Sequence, residues 1–247
     1  MKIDKVILST NDNPLYYPFW NIVSKYWSEI INIEPVLFYV GELPPRILGL
    51  KEDYGKIIHY NTKDKTKSVD TSNLSQLIRH FGATCFPEET CILSDIDMLP
   101  LSKDYYVNQK EVLNFKEDSV CFYSGDWGNG KRFPMCYIAA KGRVFEEIIK
   151  SKYEDFETES VKWMSEGHGW HTDEIVFSKL WNESRFKENS LFLSRGWTYG
   201  QANNRIDRDS IYKFDVNQIP NYIDFHMMRP MLKNKEVLLK IGEYHGI

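Results

Sequence analysis

Two aspartates with one residue between them are the first side chains in this sequence that could do chemistry together. They lie in CILSDIDMLP, residues 91–100, where an apolar run ends in Asp95 and Asp97 and a proline follows. Alternate side chains of an extended segment point to the same side, so the two carboxylates project together while Ile96 turns back towards the core. Two close carboxylates repel each other unless a proton or a cation lies between them.

A divalent cation would relieve this repulsion. Oxygen ligands favour Mg²⁺ or Mn²⁺, which usually keep some bound water and also bind phosphate oxygens. In open α/β sheets, ligands bind beyond the carboxyl ends of the strands, which is where this pair is expected. The alternative interpretation is a polar turn after a strand, because acidic residues are common and the D-x-D pattern is short.

Strands and helices alternate in the first half of the chain. The predicted strands are Lys5–Thr10, Pro35–Val40, Lys56–Tyr60 and Thr90–Leu93. Helical spacing of apolar residues predicts one helix over Leu15–Ile31 and a second that Thr71 or Ser72 caps and that ends at Phe81 or Gly82. This alternation predicts a mostly parallel sheet covered by helices on both faces.

The second half of the chain is less regular. Its predicted strands are Val120–Tyr123, Met135–Ala140 and Tyr222–Phe225, and its predicted helices are Gly142–Lys150, Asp173–Leu180 and Met231–Tyr244. Thr172 is a possible cap for the middle helix. Because no repeat or interdomain linker interrupts the chain, we expect a single domain over residues 1–247.

Composition narrows the class of partner. The 247 residues carry a net charge of -4, so no basic field attracts nucleic acid. The four cysteines contain no CxxC pair, which argues against a zinc ribbon and a disulfide scaffold. We expect no transmembrane segment and a cytoplasmic location, since no signal peptide or membrane-length apolar run is evident. The 15% aromatic content suits either a core or stacking on sugar rings.

The segment CILSDIDMLPL resembles the metal-binding DxD segment of nucleotide-sugar-dependent glycosyltransferases with the GT-A fold. Three further segments resemble that family in the same chain order: SNLSQLIRHFGATCFPEET, WHTDEIVFSKL and DFHMMRP. The layout is most similar to the glycogenin-like, retaining branch. The resemblance implies a Rossmann-like sheet with a smaller antiparallel C-terminal part. It also implies a nucleotide-binding half over about residues 1–100 and an acceptor-side half over residues 101–247.

The same resemblance implies ligands for a metal and for the donor diphosphate. Asp95, Asp97 and His226 would hold Mn²⁺ or Mg²⁺. Arg229 stands where relatives carry a lysine that contacts the diphosphate, and arginine can bind phosphate oxygens through two parallel hydrogen bonds. Arg79 matches an arginine that supports the nucleotide-sugar, although an ordinary exposed arginine on a helix is the alternative.

Further donor and catalytic residues follow from the resemblance. The remaining donor-binding candidates are Ser9, Thr10 and Asn11 in VILSTNDNP, and Ser94, Asp95 and Ile96 in the DxD segment. Asp173 and Glu174 match an acidic pair that faces the sugar and acceptor, but acidic residues also favour a helix start for structural reasons. Asp126, in the glycine-rich SGDWGNGKRF, is either an acceptor-side residue or part of a plain surface loop.

The implied reaction moves a sugar from a UDP- or GDP-sugar to a hydroxyl of a glycan or glycoconjugate. Inversion needs a carboxylate base, for which Asp173, Glu174 and Asp126 are candidates, whereas retention needs no dedicated base. The segment around His226 is more similar to retaining relatives. One departure affects specificity: many relatives have an Asn-x-Gly segment where this chain has FPMCYIAAKG.

Two other functional classes compete with this interpretation. Phosphatases of the haloacid-dehalogenase type also use D-x-D, but here Met98 and Leu99 follow the second aspartate, and the motif lies far from the first strand. A non-catalytic carbohydrate-binding module would use exposed tryptophans, such as Trp127, Trp170 and Trp197, and would need no nucleotide site.

Overall fold

A seven-stranded mixed sheet forms the centre of the fold. The computed structural model describes residues 2–63, 69–124, 132–198, 201–202 and 204–247. The strands are β1 (Lys5–Asn11), β2 (Glu34–Gly41), β3 (Lys56–Asn61), β4 (Thr90–Leu93), β5 (Met98–Pro100), β6 (Cys121–Phe122), β7 (Ile138–Lys141), β8 (Leu191–Phe192), β9 (Trp197–Thr198), β10 (Gln201–Ala202), β11 (Arg205–Asp207) and β12 (Asp224–His226). The α-helices are α1 (Trp20–Tyr26), α2 (Thr71–Ala83), α3 (Lys110–Leu113), α4 (Gly142–Ile149), α5 (Phe156–Ser165), α6 (Thr172–Glu183) and α7 (Lys235–His245).

The central sheet has the strand order β3-β2-β1-β4-β7-β6-β8, and its first four strands are parallel. Strand β7 runs antiparallel to both β4 and β6. A small second sheet has the order β11-β12-β5, in which β12 is parallel to β11 and antiparallel to β5. The expected α/β fold is therefore confirmed. The C-terminal sheet is mixed rather than purely antiparallel, because β11 runs beside β12 in the same direction.

Strand β1 is buried on both faces, and its consecutive apolar residues Val6, Ile7 and Leu8 supply apolar contacts to both. Val6 and Leu8 face one core, into which α1 brings Trp20. Ile7 faces the opposite core, into which α2 brings Leu74. The two layers hold the carboxyl end of β1 in place, and polar residues of the chain begin there.

Helices α2 and α6 pack against each other on one side of the sheet, and both carry polar residues towards the carboxyl ends of the strands. Helix α2 has 13 residues and α6 has 12. Within the described ranges, no helix combines the length and the apolar character needed to cross a membrane.

Several element boundaries differ from the sequence prediction. Asp70, rather than Thr71 or Ser72, caps α2, because its carboxylate accepts a hydrogen bond of 2.7 Å from the N–H of Ser72. The position before α6 is occupied by His171, which makes no capping hydrogen bond, and the hydroxyl of Thr172 donates to the carbonyl of Gly169 instead. Strands β7 and β12 begin later along the chain than predicted.

Candidate active site

A cavity of about 600 Å³ opens at the carboxyl ends of β1 and β4, within the usual size range of small-molecule sites. The predicted residues that line it are Ser9, Thr10, Asn11, Arg79, Asp95, Ile96, Asp97, Asp173, Glu174, His226 and Arg229. Ser94 is fully buried and is not part of the lining; its carbonyl accepts a hydrogen bond of 3.2 Å from Nη1 of Arg79. Asp126 lies outside the described residues.

The small second sheet brings the D-x-D turn next to His226, which is far away in sequence. After β4 ends, the carbonyl of Asp95 accepts a hydrogen bond from the N–H of Met98, which closes a tight turn. The carbonyl of Asp97 accepts a hydrogen bond of 2.9 Å from the N–H of Met227. In the sheet, His226 pairs with Met98 on one side and with Asp207 on the other.

The carboxylate of Asp97 is 6% exposed and is surrounded by cationic side chains. Its Oδ2 lies 3.4 Å from Nη1 of Arg208, 3.5 Å from Nε of Arg229 and 3.7 Å from Nε2 of His226. A carboxylate this buried needs compensating positive charge. The charged contacts of Asp97 therefore link the D-x-D turn to the residue that follows β11 and to the segment of β12.

His226 is held between two carboxylates. Its Nδ1 lies 3.4 Å from Oδ2 of Asp207, and its Nε2 faces Asp97. Burial alone would lower the pKa of His226, but hydrogen bonds to Asp207 and Asp97 raise that pKa to about 9. Conversely, burial would raise the pKa of Asp207, and its contact with His226 brings that pKa down to about 2.

Arg79 joins the D-x-D turn to the start of α6. Its guanidinium pairs with the carboxylate of Asp95 and lies 3.0 Å from Oδ2 of Asp173. Arg79 and Asp173 are both buried, so the alternative of an ordinary exposed arginine is wrong. Desolvation tends to raise the pKa of Asp95, but the charge of Arg79 outweighs it and lowers that pKa.

Glu174 has a different environment from its neighbour Asp173. Its Oε2 lies 3.1 Å from Nε of Arg132 and 3.5 Å from Nδ1 of His171. Burial, together with the nearby charge of Asp173, raises the pKa of Glu174 to about 7. A carboxyl group that titrates near neutrality in a cavity wall suits proton transfer or hydrogen bonding to a substrate hydroxyl.

Two contacts fix the other side of the cavity. The side-chain amide of Asn11 donates to the hydroxyl of Thr71 over 3.1 Å, which ties the end of β1 to the start of α2. The hydroxyl of Tyr16 bonds to the guanidinium of Arg229, which also stacks over the Tyr16 ring at 4.8 Å. Arg229 is thus oriented by an aromatic residue from the first loop of the chain.

Sequence reasoning missed several residues of this site, among them Tyr16, Asp207 and Arg208. Tyr16 and Arg208 line the cavity, and Asp207 supports His226. The only sequence signal for the latter two is the charged run RIDRD, residues 205–209. That run belongs to a three-residue strand and the turn after it, and such short elements give no periodic pattern.

An exposed tryptophan lies at the mouth of the cavity. Trp170 is 54% exposed and lines the cavity beside His171, in the single turn that precedes α6. His168, which precedes that turn, is not part of the lining and lies 3.4 Å from a carboxylate oxygen of Glu166. An aromatic face at the mouth of a polar cavity suits stacking on the C–H groups of a sugar.

A solved structure shares this architecture. The chain superposes on a galactosyltransferase, LgtC, solved in complex with donor and acceptor sugar analogs, with a TM-score of 0.53 and 9% identity, over 97% of this chain and 95% of that chain. The match to a glycosyltransferase, GlyE, from Streptococcus pneumoniae TIGR4 has a TM-score of 0.45 and 12% identity. It covers 100% of this chain and 64% of that chain. The match to mouse xyloside xylosyltransferase 1, in its apo form, has a TM-score of 0.42 and 13% identity. It covers 92% of this chain and 98% of that chain.

The chain has the GT-A fold of glycosyltransferases, as the sequence predicted. At 9% identity the similarity to LgtC establishes the fold alone. The sequence matches no protein-family model and no curated protein. The activity must therefore be argued from the cavity and its residues.

Proposed function

We propose that this chain is a metal-dependent glycosyltransferase that moves a sugar from a UDP- or GDP-sugar to a hydroxyl group of a glycan. The observation that carries the proposal is the convergence of Asp97, His226 and Arg229 at the carboxyl ends of the strands of a GT-A fold. Asp97 is far from the segment that carries His226 and Arg229, so a polar surface turn does not account for their arrangement.

The residues that line the cavity support one orientation of the donor. The base and ribose would lie at the end of β1, where Ser9, Thr10 and Asn11 line the wall. The diphosphate would lie against Arg229 and the residues around Asp97. The sugar would then face Asp173 and Glu174 at the start of α6, where carboxyl groups can accept hydrogen bonds from its hydroxyls.

The atoms around Asp97 suit a divalent cation. Ligands at roughly 2.1 Å from such an ion lie about 3.0 to 4.2 Å from each other. Neighbouring ligands have the shorter of these distances and opposite ligands the longer; Oδ2 of Asp97 and Nε2 of His226 are 3.7 Å apart, so a small shift of either side chain would bring both onto one ion. Among the described residues, however, no three histidine, cysteine or acidic side chains form a ready-made metal centre, and Asp95 is paired with Arg79.

Asp97 and His226 would thus hold the cation, and Asp95 as the third ligand stays a prediction. A bound Mn²⁺ or Mg²⁺ would supply positive charge to the diphosphate. His226 must give up a proton before its nitrogen can bind a metal, because a metal ligand needs the neutral ring.

Transfer breaks the bond between the anomeric carbon and the diphosphate oxygen, and the electron pair stays on that oxygen. A bond forms between the anomeric carbon and the acceptor oxygen, which loses its proton. Positive groups fixed beside the departing oxygen lower the barrier, because they stabilise the charge that develops there. We expect retention, in which the departing phosphate can accept the acceptor proton.

The two carboxylates of α6 have separate tasks in this scheme. Asp173 is engaged by Arg79 and is 3% exposed, so it orients Arg79 and the sugar. Glu174 is the more accessible group and would contact the acceptor or sugar hydroxyls. If the reaction instead inverts, Glu174 is the base that the described residues offer.

Release of nucleoside diphosphate from a panel of UDP- and GDP-sugars, with glycan acceptors and Mn²⁺, tests the proposal. We expect release with at least one donor, and loss of that release in Asp97→Ala. Full activity of Asp97→Ala would refute the assignment of the site. Binding of glycans without turnover of any donor would favour a non-catalytic carbohydrate-binding protein, whose expected β-rich architecture this α/β fold does not have.

A further inference from the structure

The two ends of the cavity carry opposite excess charge. At the α6 end, two carboxylates, those of Asp95 and Asp173, share the single guanidinium of Arg79. At the β12 end, two guanidinium groups, those of Arg208 and Arg229, share the single carboxylate of Asp97. Within the described ranges, Asp97 is the only carboxylate paired with either of these arginines. One end thus favours hydroxyl groups, and the other favours an anion.

The backbone of β11 and of the turn after it sets the position of Arg208. Arg208 is the first residue of the turn Arg208–Lys213, directly after β11. The carboxylate of Asp207 accepts a hydrogen bond of 2.9 Å from the N–H of Asp209 and thereby caps this turn. Because Asp207 is paired with His226 across the sheet, Arg208 leaves the sheet next to His226 and reaches into the cavity.

The contact of Arg208 with Asp97 can be replaced by a contact with another anion. The side chain of Arg208 is 28% exposed, and its Nη1 lies 3.4 Å from Oδ2 of Asp97. Because Arg229 and His226 also compensate the charge of Asp97, Arg208 can leave this carboxylate without stranding an unpaired buried charge. A diphosphate offers more negative charge and several oxygens, with which a guanidinium forms two parallel hydrogen bonds.

We propose that Arg208 exchanges Asp97 for the diphosphate of the donor and, together with Arg229, forms an arginine pair that binds the leaving group. This inference rests on the proposed function. Tyr16 orients Arg229, whereas Asp97 holds Arg208. When Arg208 moves to the phosphate oxygens, it frees Oδ2 of Asp97 to bind a cation.

The arginine pair has a direct role in the reaction. As the bond to the anomeric carbon breaks, the electron pair collects on the departing phosphate oxygen. Once both guanidinium groups are bound to the phosphate oxygens, they are held in place and partly desolvated, so they stabilise this charge more than water does. Arg208 is therefore a substrate-binding residue that acts on leaving-group departure, and it needs neither the base nor the sugar for its contact.

Inorganic pyrophosphate tests this inference without knowledge of the donor. Its binding is measured by calorimetry in EDTA, for wild type, Arg208→Gln and Arg208→Lys, with inorganic phosphate as the smaller anion. The control is Arg46→Gln, which removes an exposed arginine that does not line the cavity. Melting temperatures confirm that each variant is folded.

The wild-type protein is expected to bind pyrophosphate more tightly than phosphate. Arg208→Gln should weaken pyrophosphate binding about 10- to 100-fold, the loss expected for charge-assisted hydrogen bonds. The affinity of Arg208→Lys for pyrophosphate should lie between those of wild type and Arg208→Gln, because lysine keeps the charge but lacks the planar guanidinium. Arg46→Gln should bind as wild type does.

Three results would overturn the inference, and they separate it from the proposed function. Equal pyrophosphate binding by wild type and Arg208→Gln would remove Arg208 from the diphosphate site. Binding of UDP or GDP with Mn²⁺, but of no pyrophosphate in EDTA, would refute the arginine pair and leave the proposed function standing. Absence of binding by every nucleotide and by pyrophosphate would refute both.

Discussion

The guanidinium of Arg79 lies 3.0 Å from the carboxylate of Asp173, and the two residues are 94 positions apart in the chain. Both side chains are almost fully buried. Removing one member of a buried pair leaves an uncompensated charge and costs about 3 to 5 kcal/mol. We therefore expect Arg79→Met to lower the free energy of unfolding by about that amount, as measured by urea denaturation.

Arg185→Met is the matched control, because Arg185 pairs with Glu147 at 2.6 Å on the surface. An exposed pair contributes little to stability, so this variant should remain close to wild type. Similar losses in Arg79→Met and Arg185→Met would show that Arg79 does not carry the structural role assigned to it.

The stability of the protein should depend on the ionisation of Glu174. Its pKa is about 7 in the folded protein against an ordinary value of 4.5. A raised pKa means that the folded state favours the protonated form, so stability is lost as the pH rises from about 4.5 through about 7. Glu174→Gln should remove this loss and be more stable than wild type by about 1 to 3 kcal/mol at pH 8.

Urea denaturation of wild type and Glu174→Gln at pH 4.5 and pH 8 measures this difference. At pH 4.5 the two proteins should be similar, because Glu174 is largely protonated in the folded state. The same difference at both pH values would mean that Glu174 does not titrate as described.

His80 predicts a loss of stability in acid. It is fully buried in α2 and stacks on Phe177 at 4.8 Å, and neither ring nitrogen has a hydrogen-bond partner among the described residues. Burial holds the pKa of His80 well below 6.5. Below pH 6.5, the ring of His80 binds a proton in the unfolded chain but not in the folded chain. The free energy of unfolding therefore falls as the pH drops below 6.5.

His80→Phe keeps an aromatic ring at that position but cannot bind a proton. Wild type should lose about 1.4 kcal/mol more than this variant for each pH unit below 6.5. Denaturation at pH 8.0, 6.0 and 5.0 gives the two pH slopes, which cancels any constant packing effect of the larger ring. Parallel slopes would contradict the prediction.

Trp170 should affect the acceptor and not the donor. Because its ring is exposed at the mouth of the cavity, Trp170→Ala should raise the KM for a glycan acceptor up to about tenfold and leave nucleotide affinity unchanged. Tyr212→Ala is the control, since Tyr212 is 79% exposed and does not line the cavity. A change in nucleotide affinity in Trp170→Ala would place the tryptophan on the donor side.

The sequence predicted the parts of the site that follow the buried strands of the first half. Strands β1 and β4 each contain three consecutive apolar residues, so the positions of Asn11 and Asp95 at their carboxyl ends could be predicted. The position of Arg208 could not, because its contact with Asp97 depends on how a three-residue strand pairs with another short strand. Such pairing is set by tertiary packing, which leaves no local pattern in the sequence.

The burial of Arg79 could not be predicted from the sequence pattern either. Arg79 lies off the apolar face of α2, which by periodicity alone favours an exposed arginine. In the structure, α6 brings Asp173 over α2, and the pair of carboxylates makes the buried position of Arg79 tolerable. Only the resemblance to GT-A enzymes pointed to this residue, and the structure gives the physical reason for its position.

In the proposed function, Asp97 helps to bind a cation against a nucleoside diphosphate. Calorimetric titration of UDP and GDP, with Mn²⁺ and with EDTA, tests it most directly in wild type, Asp97→Ala and the exposed control Asp53→Ala. We predict that Mn²⁺ strengthens the binding of one nucleotide by at least about tenfold in wild type and in Asp53→Ala, and that Asp97→Ala loses this gain. An undiminished effect of Mn²⁺ in Asp97→Ala, or no binding of either nucleotide by the wild-type protein, would contradict the claim.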